Sequence, residues 1–283
     1  GALSIDGITN SEGASAGQST AEIAISTSTG FSGGYERSSF SVSASVLAEK
    51  DGRMETDYDF TSAVFAEDLI DPGKIGRSAG ERTINRIGAR RAKTGQFPVV
   101  FDSRISKSLT SHFTSAINGA SVARGSSFLK NKMGQKIANS SITVIDDPLR
   151  PRGFGSRRFD GETLPVKKIE LIKDGVLQSW LLDLASAAQL GLTSTGNASR
   201  SLSSPPSPGT SNCMIENGTI SVNALLADIR EGFLVTELIG SSVSLTTGDY
   251  SRGAAGFWIE NGVIAYPITE ATIAGNLKER FFE

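Results

Sequence analysis

The chain has 283 residues, of which 38% are hydrophobic and 20% are charged, and its formal net charge at pH 7 is −2. This composition excludes a disordered chain, and the weak net charge makes nucleic acid an unlikely ligand despite a basic cluster over residues 77–93. The sequence has no apolar run long enough to cross a membrane, and its single cysteine, Cys213, predicts a reducing compartment.

The first third of the sequence predicts antiparallel β-structure. From Phe40 to Val46, apolar residues alternate with serines, which is the period of a strand with one buried face. After the hairpin dipeptide Asp51-Gly52, a second run alternates charged residues with Met54, Thr56, Tyr58 and Phe60. We predict two half-buried strands with their apolar faces inward, joined by a tight turn, and an earlier strand near residues 20–28.

The rest of the chain predicts helices, loops and further hairpins. Pro72 after Asp71 predicts the start of one helix, and apolar residues every four positions predict a second over residues 103–120. Shorter helices are predicted over residues 179–190, ending at Gly191, and over residues 222–230. Stretches rich in Pro and Gly, residues 146–164 and 201–211, predict loops.

Three dipeptides between apolar or β-branched residues have the signature of type I′ hairpins. They are Asp174-Gly175, Asn217-Gly218 and Asn261-Gly262. Together with the helices they predict an α+β fold, with an antiparallel sheet or barrel-like core and several helices packed on it.

Two residues carry side chains suited to catalysis. His112, the only histidine, lies at the edge of the apolar face of the second predicted helix. A single imidazole is poor equipment for binding a metal, so we favour a packed helix histidine over a ligand or general base. Cys213 needs a base to act as a nucleophile, and a buried structural cysteine is favoured. A self-sufficient hydrolase that uses His112 and Cys213 is kept as an alternative.

Two segments mix glycine with polar residues, which lets backbone approach a ligand while side chains hold it. The candidate binding residues in these segments are Thr195, Asn197, Arg200, Asp249, Tyr250, Ser251 and Arg252. Composition alone is equally compatible with two tightly hydrogen-bonded loops. No Walker loop or dinucleotide-binding glycine motif occurs in the sequence.

Four strings, in this order, resemble the C-terminal domain of the TldD/PmbA family: residues 191–197, 235–240, 248–258 and 273–278. Residues 248–258 are closest to the PmbA (TldE) branch, and the resemblance runs from about residue 51 to the end. It implies a C-terminal TldD/PmbA-type domain over residues 98–283, preceded within the same domain by a hairpin-rich segment and first helix over residues 1–97. The family has a further N-terminal domain and a C-terminal cysteine that we do not find here, so we expect either a fragment or a chain that has lost this domain.

The resemblance also implies a cytoplasmic location and a function. TldD and PmbA-type subunits form a heterodimer that cleaves peptides, and in TldD a helix with His-Glu-x-x-x-His and a cysteine bind zinc. The matching positions here are Ser111, His112 and Ala116, so we expect no catalytic or metal-binding residue in this chain and zinc only in a TldD-type partner. The expected ligand is a peptide, and a homodimer is expected when the partner is absent. The alternative is a protein-binding regulator of the gyrase-modulator type with no peptidase role.

Overall fold

A computed structural model gives the fold of the chain and describes residues 1–280. The predicted class is confirmed, since helices pack on several sheets whose pairing is mainly antiparallel. The first sheet consists of β1 (Ile8–Ser26), β2 (Ser32–Lys50) and β3 (Arg53–Ala63) in that order. Asp51 and Gly52 have φ values of 54° and 72°, as the predicted tight turn between β2 and β3 requires.

One helix, α1 (Pro72–Asn85), covers one face of this sheet. It begins as predicted, with Pro72 in the first turn and the Asp71 carboxylate accepting a hydrogen bond from the Lys74 backbone N–H at 3.1 Å. Ala79 of α1 is fully buried against Val46 of β2. The helix is therefore fixed to the sheet by small apolar side chains that allow close approach.

The orientation predicted for β3 is wrong. Met54, Tyr58 and Phe60 are 68%, 45% and 39% exposed, whereas Asp57 and Thr61 on the other face are buried. A period of two identifies the strand but cannot say which face lies inward when the polar face finds partners.

The buried acidic face of β3 finds those partners in arginines from two helices. Arg86, just after α1, lies 3.4 Å from Glu55, and Arg104 of the next helix donates a 2.9 Å hydrogen bond to Asp57. Buried carboxylates are tolerated when they are paired and hydrogen-bonded, so these contacts explain why the charged face is inside.

The second helix, α2 (Ser103–Ala116), is shorter than predicted. The chain leaves the helix at Ile117, and Asn118 caps a separate helix, α3 (Gly119–Ala123), by accepting from the Ala120 N–H at 3.1 Å. The Gly119 N–H donates a 2.8 Å hydrogen bond to the Leu181 carbonyl. This tertiary bond and the new cap replace the helical bonds that continuation to residue 120 would have used.

The later helices also begin or end differently from the predictions. α4 (Leu184–Leu190) starts at the cap Asp183 rather than at residue 179, and ends at Gly191 with φ 67°, as predicted. The preceding residues 180–182 are buried in the core instead of helical. α5 (Val222–Ala227) stops before residue 230, and α6 (Leu277–Arg280) follows the last strand.

Of the three predicted hairpins, two are confirmed. Asp174-Gly175 joins β7 (Ile169–Lys173) to β8 (Val176–Leu177). Asn261-Gly262 joins β13 (Asp249–Glu260) to β14 (Val263–Asn276). All four turn residues of these two hairpins have positive φ. The hairpin at Asn217-Gly218 is wrong, because the chain runs from β11 (Cys213–Ile215) into α5 without a second strand.

The largest sheet contributes part of the main core. Its order is β4 (Arg90–Arg91), β14, β13, β12 (Glu231–Val243) and β5 (Val99–Phe101), with parallel pairing only at the two outer pairs. β11 pairs with β6 (Val144–Asp146) beside β7, and β9 (Ala198–Ser199) pairs with β10 (Ser207–Pro208). Among residues 1–280, no helix is long and apolar enough to cross a membrane.

Candidate functional site

Helix α2 carries the three positions that match the zinc motif, and they lie in different environments. Ser111 is exposed, and its hydroxyl donates to the Lys107 carbonyl of the same helix at 3.0 Å. Ala116 is fully buried. The His112 side chain is half-buried and lies beside β13. The three side chains therefore do not converge on one point.

His112 packs against the sheet through its ring. The imidazole meets the Tyr250 ring edge to face, with centroids 5.9 Å apart. Its Nε2 atom is buried and has no hydrogen-bond partner within the described part of the chain. Burial, and secondarily the charge of Arg252, lower the pKa of His112. The ring is thus neutral near pH 7, in the packed position that the sequence favoured.

A groove of about 420 Å³ runs between β3, α2 and strands β12 and β13. Helix α2 contributes Arg104, Lys107 and Ser108 to its wall. Thr236 of β12 and Arg252 of β13 lie on the sheet side. One of the predicted binding residues, Arg252, therefore lines a cavity at the helix that matches the zinc helix.

The predicted residues on β13 divide between two faces of the strand. Tyr250 and Arg252 lie on the side of His112, whereas Ser251 between them points to the opposite, exposed side. Asp249 is exposed, and hydrogen bonds from Thr247 and Asn276 lower its pKa. Only Tyr250 and Arg252 are positioned at the groove side of the sheet.

The predicted residues near α4 belong to a separate, internal network. Asn197 is only 3% exposed. Its Nδ2 donates a 3.0 Å hydrogen bond to Oδ2 of Asp146, and its Oδ1 accepts a 2.7 Å hydrogen bond from the Thr195 hydroxyl. Asp146 is fully buried and also accepts from the Ser211 N–H and hydroxyl. Burial nevertheless raises the pKa of Asp146. These bonds give Asn197 and Thr195 a role in holding loops together, while Arg200 lies exposed.

Cys213 lies beside this network. Cys213 lies on β11 opposite Asp146 of the neighbouring strand β6. Burial together with the Asp146 charge raises the pKa of its thiol to about 12. A thiol in such surroundings is inert at neutral pH. Over residues 1–280 no hydrogen bond joins Cys213 to His112, so the arrangement needed by the Cys/His hydrolase alternative is not formed.

Among residues 1–280, the three positions that match the zinc motif do not form a set of zinc ligands. Zinc in proteins is held by three or four thiolate, imidazole or carboxylate ligands. In the described portion, no group of three or more His, Cys, Asp or Glu side chains is placed to hold a metal. At the matching positions, the Ser111 hydroxyl is engaged by its own helix, and Ala116 has no donor atom.

Sequence reasoning missed several residues of the groove. Arg104 and Ser108 precede His112 at spacings of four along α2, so the helical period could have placed them on one face with it. Thr236 of β12 gave no such signal, because its approach to α2 depends on strand packing.

Comparison with known proteins gives matches to two family models and to several relatives. Residues 1–87 match the model of the PmbA/TldA metallopeptidase central domain, and residues 94–283 match that of the C-terminal domain. The chain is 40% identical to metalloprotease PmbA of Escherichia coli O157:H7, over 96% of this chain and 58% of that protein. It is 38% identical to the PmbA homolog of Buchnera aphidicola from Acyrthosiphon pisum, over 96% of this chain and 59% of that protein.

Two crystal structures are close in fold. TldE from Thermococcus kodakarensis has a TM-score of 0.87 at 26% identity, covering 95% of this chain and 61% of that one. A candidate modulator of DNA gyrase from Bacteroides thetaiotaomicron has a TM-score of 0.89 at 30% identity, covering 98% of this chain and 61% of that one. The chain spans less than two thirds of the length of each of these relatives.

Proposed function

Because the chain belongs to the PmbA/TldD family of metallopeptidases, we propose that it acts as the PmbA/TldE-type subunit of a peptidase complex. Its partner is a TldD-type subunit, which carries the zinc and the catalytic glutamate. The chain itself is catalytically silent and acts in the cytoplasm in the proteolysis and maturation of peptides. A homodimer is the proposed state when the partner is missing.

The observation that supports this proposal most is the environment of α2. One of the three matching side chains is exposed, one is packed on Tyr250 and one is buried alanine. Restoring a zinc site on this helix would require new ligand side chains at the positions of Ser111 and Ala116. A subunit with this helix contributes to peptide cleavage by shaping a cavity and holding substrate, not by activating water.

The chain's own residues supply that binding surface. Arg252 and the rest of the groove offer cationic and hydroxyl groups beside α2. Asn197, Thr195 and Asp146 hold the loops around β9 and β10 through buried hydrogen bonds, as Asn197 also donates to the Gly209 carbonyl. The proposed division of labour is therefore contact with peptide at Arg252 and support of the loops at Asn197.

The test uses the full-length protein, purified alone and after reconstitution with a TldD-type subunit. Zinc content and hydrolysis of an unstructured peptide are measured in both samples. We expect zinc and hydrolysis only in the reconstituted complex. Stoichiometric zinc together with peptide hydrolysis in the isolated protein would refute the silent-subunit proposal.

Alanine variants test the two proposed roles within the complex. Arg252→Ala is expected to raise KM for the peptide. Asn197→Ala is expected mainly to lower stability, because it removes one buried hydrogen bond to Asp146 Oδ2 and one from the Thr195 hydroxyl. Arg124→Ala and Asn10→Ala, both at exposed positions, are the matched controls. A wild-type KM in Arg252→Ala would withdraw the assignment of peptide contact, and wild-type stability of Asn197→Ala would withdraw the supporting role of Asn197.

A protein-binding regulator is the second candidate, favoured by the likeness to the candidate gyrase modulator from Bacteroides thetaiotaomicron. It predicts that the protein binds gyrase and does not co-purify with a zinc-bearing subunit. Affinity purification from cells that express both partners separates the two functions, because each predicts a different companion.

A further inference from the structure

The groove beside α2 contains polar atoms whose hydrogen-bonding capacity is unmet. Ser108 Oγ, Thr236 Oγ1, His112 Nε2 and Arg252 Nε are each buried without a hydrogen-bond partner in the described residues. Buried polar groups in folded proteins are nearly always paired with protein, water or ligand. Three of these side chains line the same groove, and His112 lies one helical turn beyond Ser108. Their concentration at one place indicates a polar occupant.

The charge of the groove selects the kind of occupant. Asp57 and Glu237 are engaged by arginines, at 2.9 Å from Arg104 and 2.6 Å from Arg86 respectively. In the described part of the chain, neither Lys107 nor Arg252 has a carboxylate within ion-pair distance. Positive charge on α2 and β13 is therefore left for a ligand, and arginine and lysine both pair well with oxyanions.

The acidic residues of the wall limit how negative the ligand can be. Glu12 lies at the rim, where its carboxylate accepts a 2.6 Å hydrogen bond from Ser45, and it has no basic partner in residues 1–280. Its unpaired negative charge repels a multiply charged anion such as phosphate more strongly than a monoanion. A monoanion that reaches Arg252 between these groups meets less repulsion, which favours a carboxylate.

We propose that this groove binds a carboxylate group of a peptide, held by Arg252 and Lys107. Rotation about χ1 turns the Ser108 and Thr236 hydroxyls toward the bound oxygens, and neutral His112 donates from Nε2 in the corresponding tautomer. A volume of about 420 Å³ also admits residues next to the carboxylate. The choice of a peptide rests on the proposed function, whereas anion recognition rests on the groove alone.

The test is direct binding to the purified full-length protein without a zinc-bearing subunit. Calorimetry compares N-acetyl-Ala-Ala-Ala with a free C-terminus, the same peptide as its C-terminal amide, and N-acetyl-Ala-Glu-Ala-amide. We expect one or both acidic probes to bind and the uncharged amide to bind at least about tenfold more weakly. N-acetyl-Ala-Ala-Ala reports binding of a peptide C-terminus, and N-acetyl-Ala-Glu-Ala-amide reports binding of an acidic side chain. Their affinities therefore identify the source of the carboxylate.

Variants assign the binding to the groove. Arg252→Gln is expected to weaken binding of the acidic probe by at least about tenfold, and Arg252→Lys to recover part of the loss because the charge returns. Arg124→Gln, an exposed arginine at the end of α3, is the control and should bind like the wild type. Unchanged melting temperatures show that the variants fold.

A second readout separates ligand contact from a structural role of Arg252. The acidic probe should raise the pKa of His112, because the negative charge of the probe offsets the positive charge of Arg252. NMR follows this pKa. Equal binding of acid and amide, no binding of either acid, or wild-type affinity in Arg252→Gln would overturn the proposal. None of these results depends on pairing with a TldD-type subunit. Failure of the protein to pair with such a subunit would instead refute the proposed function.

Discussion

Arg104 donates from Nη1 to Oδ1 of Asp57 at 2.9 Å and to the Tyr58 carbonyl at 2.8 Å. The Arg104 and Asp57 side chains are only 9% and 6% exposed. Asp57 belongs to the segment that matches the family's central domain, and Arg104 to the segment that matches its C-terminal domain. This contact therefore ties the first sheet to the helix that lines the groove.

Removing Asp57 should strongly destabilise the protein. Asp57→Ala leaves Arg104 buried without its acidic partner on β3 and also removes a carboxylate 3.7 Å from Arg86. We expect a loss of about 3–5 kcal/mol in the free energy of unfolding, measured by urea denaturation. The control is Asp68→Ala, which removes the partner of Arg152 in an ion pair whose side chains are 52% and 37% exposed. It should cost about 1 kcal/mol or less, and equal losses in the two variants would contradict the structural role of Asp57.

The inverted face of β3 can be tested with two phenylalanines. Phe60 is 39% exposed on the first sheet, whereas Phe113 of α2 is 3% exposed in the main core. Phe113→Ala should lower the free energy of unfolding by about 3–5 kcal/mol, and Phe60→Ala by about 1 kcal/mol or less. Parallel denaturation curves measure both. A larger loss for Phe60→Ala would restore the orientation that the alternation of the sequence predicted.

His112 should give the protein a pH dependence of a defined sign. Its pKa is lowered in the folded state, so between the folded and unfolded pKa values the unfolded chain binds more protons. The free energy of unfolding should therefore fall as the pH drops below the ordinary histidine value, until His112 also protonates in the folded protein. His112→Gln should lose this component. NMR titration of the single histidine should show a lower pKa in the wild type than in Arg252→Gln, and the reverse order would contradict the proximity of the two groups.

Cys213 should resist alkylation in the folded protein. Burial and the nearby Asp146 raise the pKa of its thiol to about 12, so very little thiolate exists at pH 8. Iodoacetamide at pH 8 should modify it slowly in buffer and rapidly in urea, as followed by mass spectrometry. Because the sequence contains one cysteine, every added mass reports on this site. Fast modification of the native protein would instead indicate an accessible, activated thiol.

Features that depend on neighbouring residues were predictable from the sequence. Asp51-Gly52 and Asn261-Gly262 form the predicted turns because Asp, Asn and Gly tolerate positive φ better than other residues. Asp71 and Gly191 mark helix ends for equally local reasons. The ordered motifs of the C-terminal half likewise identified the family.

Tertiary structure alone decided the features that join distant segments. The inward face of β3 is acidic because Arg86 and Arg104 reach it from other elements, which no alternation pattern can reveal. The groove exists because α2 packs beside β12 and β13, bringing Ser108 and Arg252 to one cavity. The sequence by itself determined local turns, caps and family membership, since these depend on backbone preferences and short motifs. Burial of charge and assembly of the groove depend on packing between remote residues, and only the folded chain specifies them.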